Sequence, residues 1–498
     1  MDELRDINNL MYDMPIDVSA VANSTFNTYN FAPNNYDQSN GGEIMQIEFD
    51  EGLDFVDGPN SYIRLKLRVN NAQPCFSFTQ NSRSFYSMNS GASVLNLIKI
   101  VELVTKDGNT IFREDFKNQL QCLREYKINE ARKNYLGIMG CIDQNSSYGT
   151  GIVYPNFSNT PITNPILSNF GGFPIFPTNR DISFVIPLQE ISPFFNTTSL
   201  IHPKLLTGSV LRLKLDIPSA AIRLLDAQLQ DYNALTAFTV NLSNMAVILS
   251  EKELYKEVED KITEQMKTRG LSYAYYQNYN TVFNIPSQIY TNESFVFPIS
   301  LSAAKIKYLA IKPMPTSNLL SAQTSGGYPM ASIDNWLLFA QQTPQPEDVN
   351  SAQFSARIRL GNKVYPENYQ IKSIPDFYNL TTYALNNISF SSCEDVDPYK
   401  RKNKQNPCCV NGDLYAIKNA AVILPTLNAT TGGLIWAFDF ERSQGVSNGG
   451  LSTNQERLLS FEVNNLSQSV ATAISLIASV QFLTVATLFE NGEVTVNK

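Results

Sequence analysis

The sequence predicts an all-β protein made of two antiparallel β-sandwiches that are joined by one helix. Three observations lead to this fold class. Apolar and polar residues alternate in short runs, hairpin turn sequences separate those runs, and one segment near the middle of the chain has a helical period. A length of 498 residues fits two large β domains.

The alternation is clearest in residues 62–69, where every second residue is apolar. This period predicts a strand with one buried face, and residues 211–217 repeat it. The polar face of the first run is basic and consists of Arg64, Lys66 and Arg68. A solvated strand face explains these charges better than a nucleic-acid site, because the net charge of the chain is -8.

Four short sequences have the pattern of tight hairpin turns, in which a glycine adopts a positive φ. They lie at residues 106–109, 360–363, 410–413 and 490–493. Together with the 25 prolines and 24 glycines, these turns favour antiparallel sandwiches over a wound parallel sheet.

The sequence predicts one helix, over residues 250–270. Ser250 and Glu253 have the spacing of a capping box, and Gly270 provides a stop. Its apolar stripe consists of Leu254, Val258, Ile262 and Met266. Its carboxylates Glu253, Glu257 and Glu264 alternate with lysines, which indicates a solvated face rather than acid–base chemistry.

This helix divides the chain into four predicted parts. Residues 1–43 form an irregular N-terminal arm, residues 44–249 the first sandwich, residues 250–270 the linker helix and residues 271–498 the second sandwich. The arm is rich in Asn, Ser and Tyr and shows little periodicity. Two interpretations are open: the arm binds neighbouring molecules, or it is a terminal segment without a role.

The residues that support catalysis or metal binding are scarce. His202 is the only histidine, which excludes zinc and iron sites that need two imidazoles. No nucleophile elbow, P-loop or dinucleotide fingerprint is present. We expect a buried or edge histidine, no enzymatic activity, and no catalytic, cofactor-binding or metal-binding residue.

The six cysteines lack the spacing of a disulfide framework or a zinc ribbon and are interpreted as intracellular thiols. They are Cys75, Cys122, Cys141, Cys393, Cys408 and Cys409. The N-terminal residues have no secretory signal, so synthesis in the cytosol is expected. The longest apolar stretch, residues 470–488, is too polar for a membrane span.

Only 17% of the residues are charged, so the surface is predicted to be neutral and polar, which suits extensive contact between proteins. The acidic residues Asp50, Glu51, Asp54 and Asp57 leave open a second class of function, a carbohydrate-binding or glycan-cleaving β-sandwich.

Several stretches, in the same order along the chain, resemble a known family of proteins. At the centre these are residues 244–249, the helix, and residues 271–273, 295–302 and 306–311. Further stretches are residues 182–188, 208–213, 356–366, 436–443 and 449–453. Together they are similar to the double jelly-roll major capsid proteins of polinton-like viruses, adintoviruses and virophages.

The resemblance implies two consecutive eight-stranded jelly rolls joined by a short helix. It further implies a homotrimeric, pseudo-hexameric capsomer that tiles the facets of an icosahedral DNA virus. The expected partners are neighbouring capsomers, penton proteins, minor or cement proteins and an internal membrane, without sequence-specific nucleic-acid binding. The expected location is the virion, and the structural alternatives are an assembly scaffold and a vertex protein.

In this family the polar insertions at one end of each roll face outward. Residues 145–179 and 316–350 are therefore candidate exterior loops. Residues 394–407 carry a basic run at 400–404 that either contacts a partner or forms a solvated loop.

Overall fold

The first half of the chain folds into short helices and antiparallel strands. In this computed structural model the described residues are 20–31, 35–37, 44–70, 86–87, 98–116, 181–196, 200–215, 226–227, 239–315, 351–365, 371–373, 380, 384, 436–440, 452–453, 458–466 and 473–498. The strands are β1 (Val21–Asn30), β2 (Asn35–Asp37), β3 (Ile44–Glu48), β4 (Phe55–Asn70), β5 (Tyr86–Ser87), β6 (Ile98–Val104), β7 (Thr110–Glu114), β8 (Asp181–Pro187), β9 (Val210–Leu215), β10 (Asp226–Ala227) and β11 (Thr239–Leu254). Between β8 and β9 lie α1 (Leu188–Ile191), a 3₁₀ helix (Pro193–Asn196) and α2 (Pro203–Leu206).

The second half begins with the linker helix α3 (Lys256–Thr268). Its strands are β12 (Leu271–Ile285), β13 (Glu293–Ile299), β14 (Ile306–Pro315), β15 (Ser351–Leu360), β16 (Lys363–Tyr365), β17 (Ile371–Ser373), β18 (Trp436–Asp439), β19 (Leu459–Leu466), β20 (Ile474–Leu488) and β21 (Val494–Asn497).

The strands of each half form two main sheets. The first half has the strand orders β1-β11-β4-β8 and β3-β9-β6-β7. The second half has the orders β12-β20-β14-β18 and β13-β19-β15-β16. The short strands β2, β17 and β21 extend these sheets, and β5 pairs with β10.

The two halves share one topology. If the main strands of each half are numbered one to eight along the chain, both halves have the sheet orders 1-8-3-6 and 2-7-4-5. This order, in which the last strand returns beside the first, is the order of a jelly roll. The described strands therefore form two consecutive jelly rolls, as the family resemblance implies.

Each roll has an apolar core between its two sheets. In the first roll the alternation predicted for β4 and β9 is confirmed, since Ile63, Leu65, Leu211 and Leu213 are buried. In the second roll, aromatic rings connect the sheets, and the centroids of Phe438 and Phe461 lie 6.1 Å apart. Burial of these apolar faces is the main term that stabilises the sandwiches.

The linker helix starts later than the sequence predicts. β11 continues to Leu254 and α3 begins at Lys256, so Ser250 and Glu253 are strand residues and the predicted capping box is wrong. Instead, Tyr255 occupies the N-cap position without a side-chain capping hydrogen bond. β11 pairs with β1 on one side and β4 on the other, and this pairing outweighs the local capping signal.

The apolar stripe and the end of the helix agree with the prediction. Val258, Ile262 and Met266 are buried. Gly270 has a φ of +76°, and a Cβ atom there would lie 2.8 Å from the Cγ2 atom of Thr487. A glycine is therefore required both for the left-handed conformation and for the close approach of β20.

The predicted N-terminal arm contains the first strand of the first roll. β1 pairs with β11 from Val21 opposite Leu254 to Asn30 opposite Ala246. The prediction of an irregular segment is wrong for β1 and β2. The sequence lacked a period of two because the middle residues of β1, from Ala22 to Thr28, are exposed on both faces. The first roll thus includes Val21, and the remaining domain boundaries stay predictions.

Three of the four predicted hairpin turns are confirmed, and residues 410–413 lie outside the described residues. Gly108, Gly361 and Gly492 have positive φ values in the connections β6–β7, β15–β16 and β20–β21. The apolar stretch at residues 470–488 contains β20, an interior strand of its sheet. In the described parts of the chain, no helix has the length and hydropathy needed to span a bilayer.

Candidate interaction surfaces

An edge strand of the first roll is covered by side chains of the second roll. β7 ends its sheet, so every second carbonyl points away from its neighbour β6. Gln277 Nε2 donates to the carbonyl of Arg113 at 3.1 Å, and Asn280 Nδ2 donates to the carbonyl of Asp115 at 2.5 Å. The hydroxyl of Tyr275 donates to the carbonyl of Ile111. These bonds satisfy an edge that would otherwise be open for pairing.

Aromatic residues of both rolls form the apolar part of this joint. The ring of Phe194, in the 3₁₀ helix of the first roll, lies edge-on to Tyr275 with a centroid distance of 5.3 Å. It also contacts Tyr273 at 6.3 Å and Phe195 at 5.3 Å. Phe194 and Phe195 are fully buried, so the joint is packed like a domain interior.

His202 is a structural residue of the same region, and the expectation of a buried histidine is confirmed. Its Nδ1 atom caps α2 by accepting a hydrogen bond from the backbone N–H of Lys204 at 3.1 Å. The backbone N–H of His202 donates to the hydroxyl of Tyr273 at 3.0 Å. Burial, together with the charge of Lys204, lowers the pKa of His202 to about 4, so the ring is neutral at pH 7.

A buried carboxylate connects β11 to the β3–β4 connection. Glu251 accepts a hydrogen bond from the hydroxyl of Tyr29 at 2.9 Å and one from the backbone N–H of Asp54 at 3.1 Å. Burial and the charges of Glu251 and Glu253 raise the pKa of Asp54 above its ordinary value. Glu253 is exposed, and together with Glu251 and Asp54 it outnumbers Lys252, whose Nζ atom donates to Ser24 Oγ of β1 at 2.6 Å, so this end of the first roll is net acidic.

A second charged cluster lies on the sheet that contains β15 and β19. Glu462 is only 3% exposed and accepts hydrogen bonds from Arg357 Nε and, at 2.6 Å, from Arg359 Nε. Burial alone would raise the pKa of Glu462, but the bonds from Arg359 and Arg357 lower it below its ordinary value. Two guanidinium groups share one carboxylate, so this cluster keeps a net positive charge.

The other charged residues singled out from the sequence are solvated or form local bonds. Asp50 and Glu51 are exposed, while Asp57 accepts a hydrogen bond from Asn60 Nδ2 at 2.7 Å. Glu257 and Glu264 lie on the exposed face of α3, as expected, whereas Glu253 belongs to β11. In the basic stripe Arg64 is exposed and Lys66 is partly buried.

Other predicted features lie outside the described residues. These are the six cysteines, the candidate exterior loops at residues 145–179 and 316–350, and residues 394–407. The part of the chain that the structure describes contains no group of three or more His, Cys, Asp or Glu side chains able to hold a metal ion.

Large apolar side chains stand exposed at a few positions of the described surface. They are Phe26, Tyr255, Ile289, Val296 and Leu458, with 45% to 78% exposure. Phe26 lies on β1, and Tyr255 precedes α3, so two of them flank the acidic end of the first roll.

Sequence reasoning missed the residues that form the joint between the rolls. Tyr273, Tyr275 and Gln277 follow the period of two in β12, but that period does not reveal which neighbour covers the strand. The pair Arg357 and Arg359 likewise lies two residues apart on β15, and its shared partner Glu462 is about a hundred residues away along the chain. Only the fold brings these groups together.

Solved structures share the fold of this protein along nearly the whole chain. The mavirus major capsid protein aligns with a TM-score of 0.50 and 13% identity over 98% of this chain and 94% of that chain. The chain has the double jelly-roll fold. A chain of the Sputnik virophage aligns with a TM-score of 0.51 and 11% identity over 97% of this chain and 90% of that chain.

A third structure, Vp54 of PBCV-1 fitted into a reconstruction of Sputnik, aligns with a TM-score of 0.50 and 11% identity over 98% and 99% of the two chains. No family model matches the sequence, and no curated protein matches it. The predicted resemblance is therefore confirmed at the level of the fold.

Proposed function

We propose that this protein is the major capsid protein of an icosahedral DNA virus. The observation that carries the proposal is the pair of jelly rolls with the same strand order, which polar and aromatic contacts hold together as one block. The mavirus protein of the same fold is a major capsid protein. The proposed role is structural and requires no catalytic residue, cofactor or metal.

Two similar lobes in one chain suit a particular kind of assembly. Three copies around a threefold axis present six lobes with a nearly hexagonal outline, and such a unit tiles a flat facet. The low charged fraction of 17% favours wide lateral contacts with few unpaired charges. A stable trimer of this kind should bury more than about 2,000 Å² of surface.

The proposed partners follow from this role. Each trimer would contact neighbouring trimers, a penton protein at the vertices, minor or cement proteins, and an internal membrane where one underlies the shell. The protein would be synthesised in the host cytoplasm and accumulate in the virion.

The mass of the purified protein in native mass spectrometry tests the proposal. We expect a species of three times 55.7 kDa at micromolar concentration, and a stable monomer would contradict it. Quantitative composition of purified particles then separates the structural alternatives. A facet protein is the most abundant component, a scaffold is absent from finished particles, and a vertex protein forms pentamers.

A further inference from the structure

The joint between the two rolls uses one surface from each. The first roll contributes its fifth strand, β7, and the β6–β7 turn, whereas the second contributes its first strand, β12, and β21, which pairs with its eighth strand, β20. At the turn, Asn109 Nδ2 donates to the carbonyl of Val494 at 3.1 Å. Val494 is paired with Leu488, the last residue of β20. The turn therefore contacts β21, the short strand that pairs with the end of the eighth strand.

Each roll also contains a counterpart of the strand that the other roll contributes to this joint. The fifth strand of the second roll is β16, which pairs with β15 alone among the described strands, and its first residue, Lys363, is exposed. The first strand of the first roll is β1, whose residues from Ala22 to Thr28 are all exposed, and Phe26 is 60% exposed. Within the described part of one chain, the stretch of β1 from Ala22 to Thr28 and Lys363 of β16 therefore remain accessible to a second molecule.

The net charges near the two surfaces are opposite, with Lys252 as the one lysine of β1 and β11, where its Nζ atom donates to Ser24 Oγ at 2.6 Å. Beside β1, the end of β11 carries the exposed Glu253, with Asp54 close enough for the two charges to interact. Beside β16, Arg357 and Arg359 share the single carboxylate of Glu462, and Lys363 adds a further positive charge. Complementary charge of this kind selects and orients a partner.

We propose that the β15–β16 hairpin of one copy docks on β1 and the end of β11 of a second copy, in the way that the β6–β7 hairpin docks on β12 within the chain. In this arrangement Lys363 lies near Glu253 of the neighbouring copy, and Phe26 becomes buried. The inference rests on the proposed function and names the contact through which the trimer forms.

In a closed trimer this contact occurs three times. Each copy presents one hairpin surface and one β1 surface, so the contact is heterologous. If the contact between copies repeats the joint within the chain, all six rolls of a trimer are related by similar rotations of about one sixth of a turn. Three chains then complete a ring in which no hairpin or β1 surface is left unused.

A charge swap tests the contact. Glu253→Lys and Lys363→Glu should each raise the concentration at which the trimer half-dissociates by about tenfold, because each puts like charges in apposition. The double variant Glu253→Lys/Lys363→Glu should restore association toward that of the unaltered protein. Mass photometry over a dilution series measures these concentrations, and circular dichroism checks that each variant is folded. Glu264→Lys, on the exposed face of α3, is the matched control and should leave association unchanged.

A second pair of variants tests the apolar part. Phe26→Ser should weaken the trimer, whereas Ile289→Ser, at a site that is 78% exposed in the β12–β13 connection, should not. If the unaltered protein is a monomer, the proposed function fails. If it is a trimer whose stability does not change in the single charge variants and in Phe26→Ser, or is not recovered in the double variant, the trimer stands and this contact is overturned.

Discussion

A single buried ring illustrates how burial controls chemistry in this protein. His202 lies edge-on to Phe55 with a centroid distance of 5.0 Å, and its Nδ1 atom caps α2 as an acceptor. Protonation would convert this acceptor into a donor and remove the cap. Packing thus keeps the ring of His202 neutral. Through its hydrogen bond with Tyr273, this residue also connects the first roll to the second.

Acidification should therefore destabilise the protein between pH 6.5 and 4. The pKa of His202 is about 4 in the folded state against 6.5 for the free side chain, so the unfolded state binds more protons in this window. The contribution is fully present above pH 6.5, and up to about 3 kcal/mol of it is lost as the pH falls to 4. Urea denaturation at a series of pH values measures this loss.

The variant His202→Asn is the control for this titration. Asparagine keeps an acceptor at the N-cap position but does not titrate. Its stability should depend less on pH between 6.5 and 4 than that of the unaltered protein. An unchanged pH dependence in the variant would show that other groups are responsible.

The carboxylate of Glu462 gives a second prediction at this scale. Glu462→Gln should lower the free energy of unfolding by about 2 kcal/mol, because Arg357 and Arg359 lose their shared negative partner. Chemical denaturation measures the change. Glu264→Gln, on the solvated face of α3, should change stability by less than about 0.5 kcal/mol, and equal effects of the two variants would contradict the interpretation.

At the scale of elements, an edge strand is protected by side chains and not by another strand. β7 has a free edge, and the side chains of β12 occupy its carbonyls at alternate residues. Side-chain donors satisfy the backbone without extending the sheet, so the two rolls remain separate sandwiches in firm contact. Element packing of this kind fixes the position of one roll relative to the other.

Removal of one such donor should weaken the joint. Tyr275→Phe deletes the hydroxyl that binds the carbonyl of Ile111 and leaves that buried carbonyl without this donor, which should cost about 1–3 kcal/mol. Tyr276→Phe is the matched control at the adjacent position, where the ring faces Lys307 instead. Thermal denaturation of both variants measures the difference, and equal losses would show that the hydroxyl of Tyr275 has no special role.

At the scale of the whole molecule, the two rolls do not have fully separate cores. The apolar core of the first roll continues through α3 into the ends of β12 and β20, where Leu271, Tyr273, Ala486 and Leu488 are buried against it. Burial shared by two domains couples their stabilities. The linker helix therefore belongs to the packed interior on one face and is not a flexible hinge.

This coupling predicts cooperative unfolding. The unaltered protein should show one calorimetric transition, because loss of either roll exposes part of the shared core. Phe194→Ala should lower the stability of the first roll by about 3–5 kcal/mol and separate the transition into two. Two separate transitions in the unaltered protein would contradict the coupling.

The sequence by itself determined the class of the fold and the positions of several turns. Periodicity reports whether a residue is buried, so β4, β9 and the apolar stripe of α3 could be predicted locally. A positive φ at Gly108 or Gly492 is also a local property of the turn. The lack of catalytic motifs, in the same way, is read from residue types and spacing alone.

Only the tertiary structure decided where α3 begins, that β1 belongs to the first roll, and which side chains join the two rolls. The start of α3 depends on the partners of β11, which lie about two hundred residues away along the chain. The middle of β1 has no buried face and thus no period to detect, and the donors to β7 act across the interface between the rolls. Pairing and packing between distant segments outweigh local signals, because the free energy of burial depends on contacts that form only when the chain is folded.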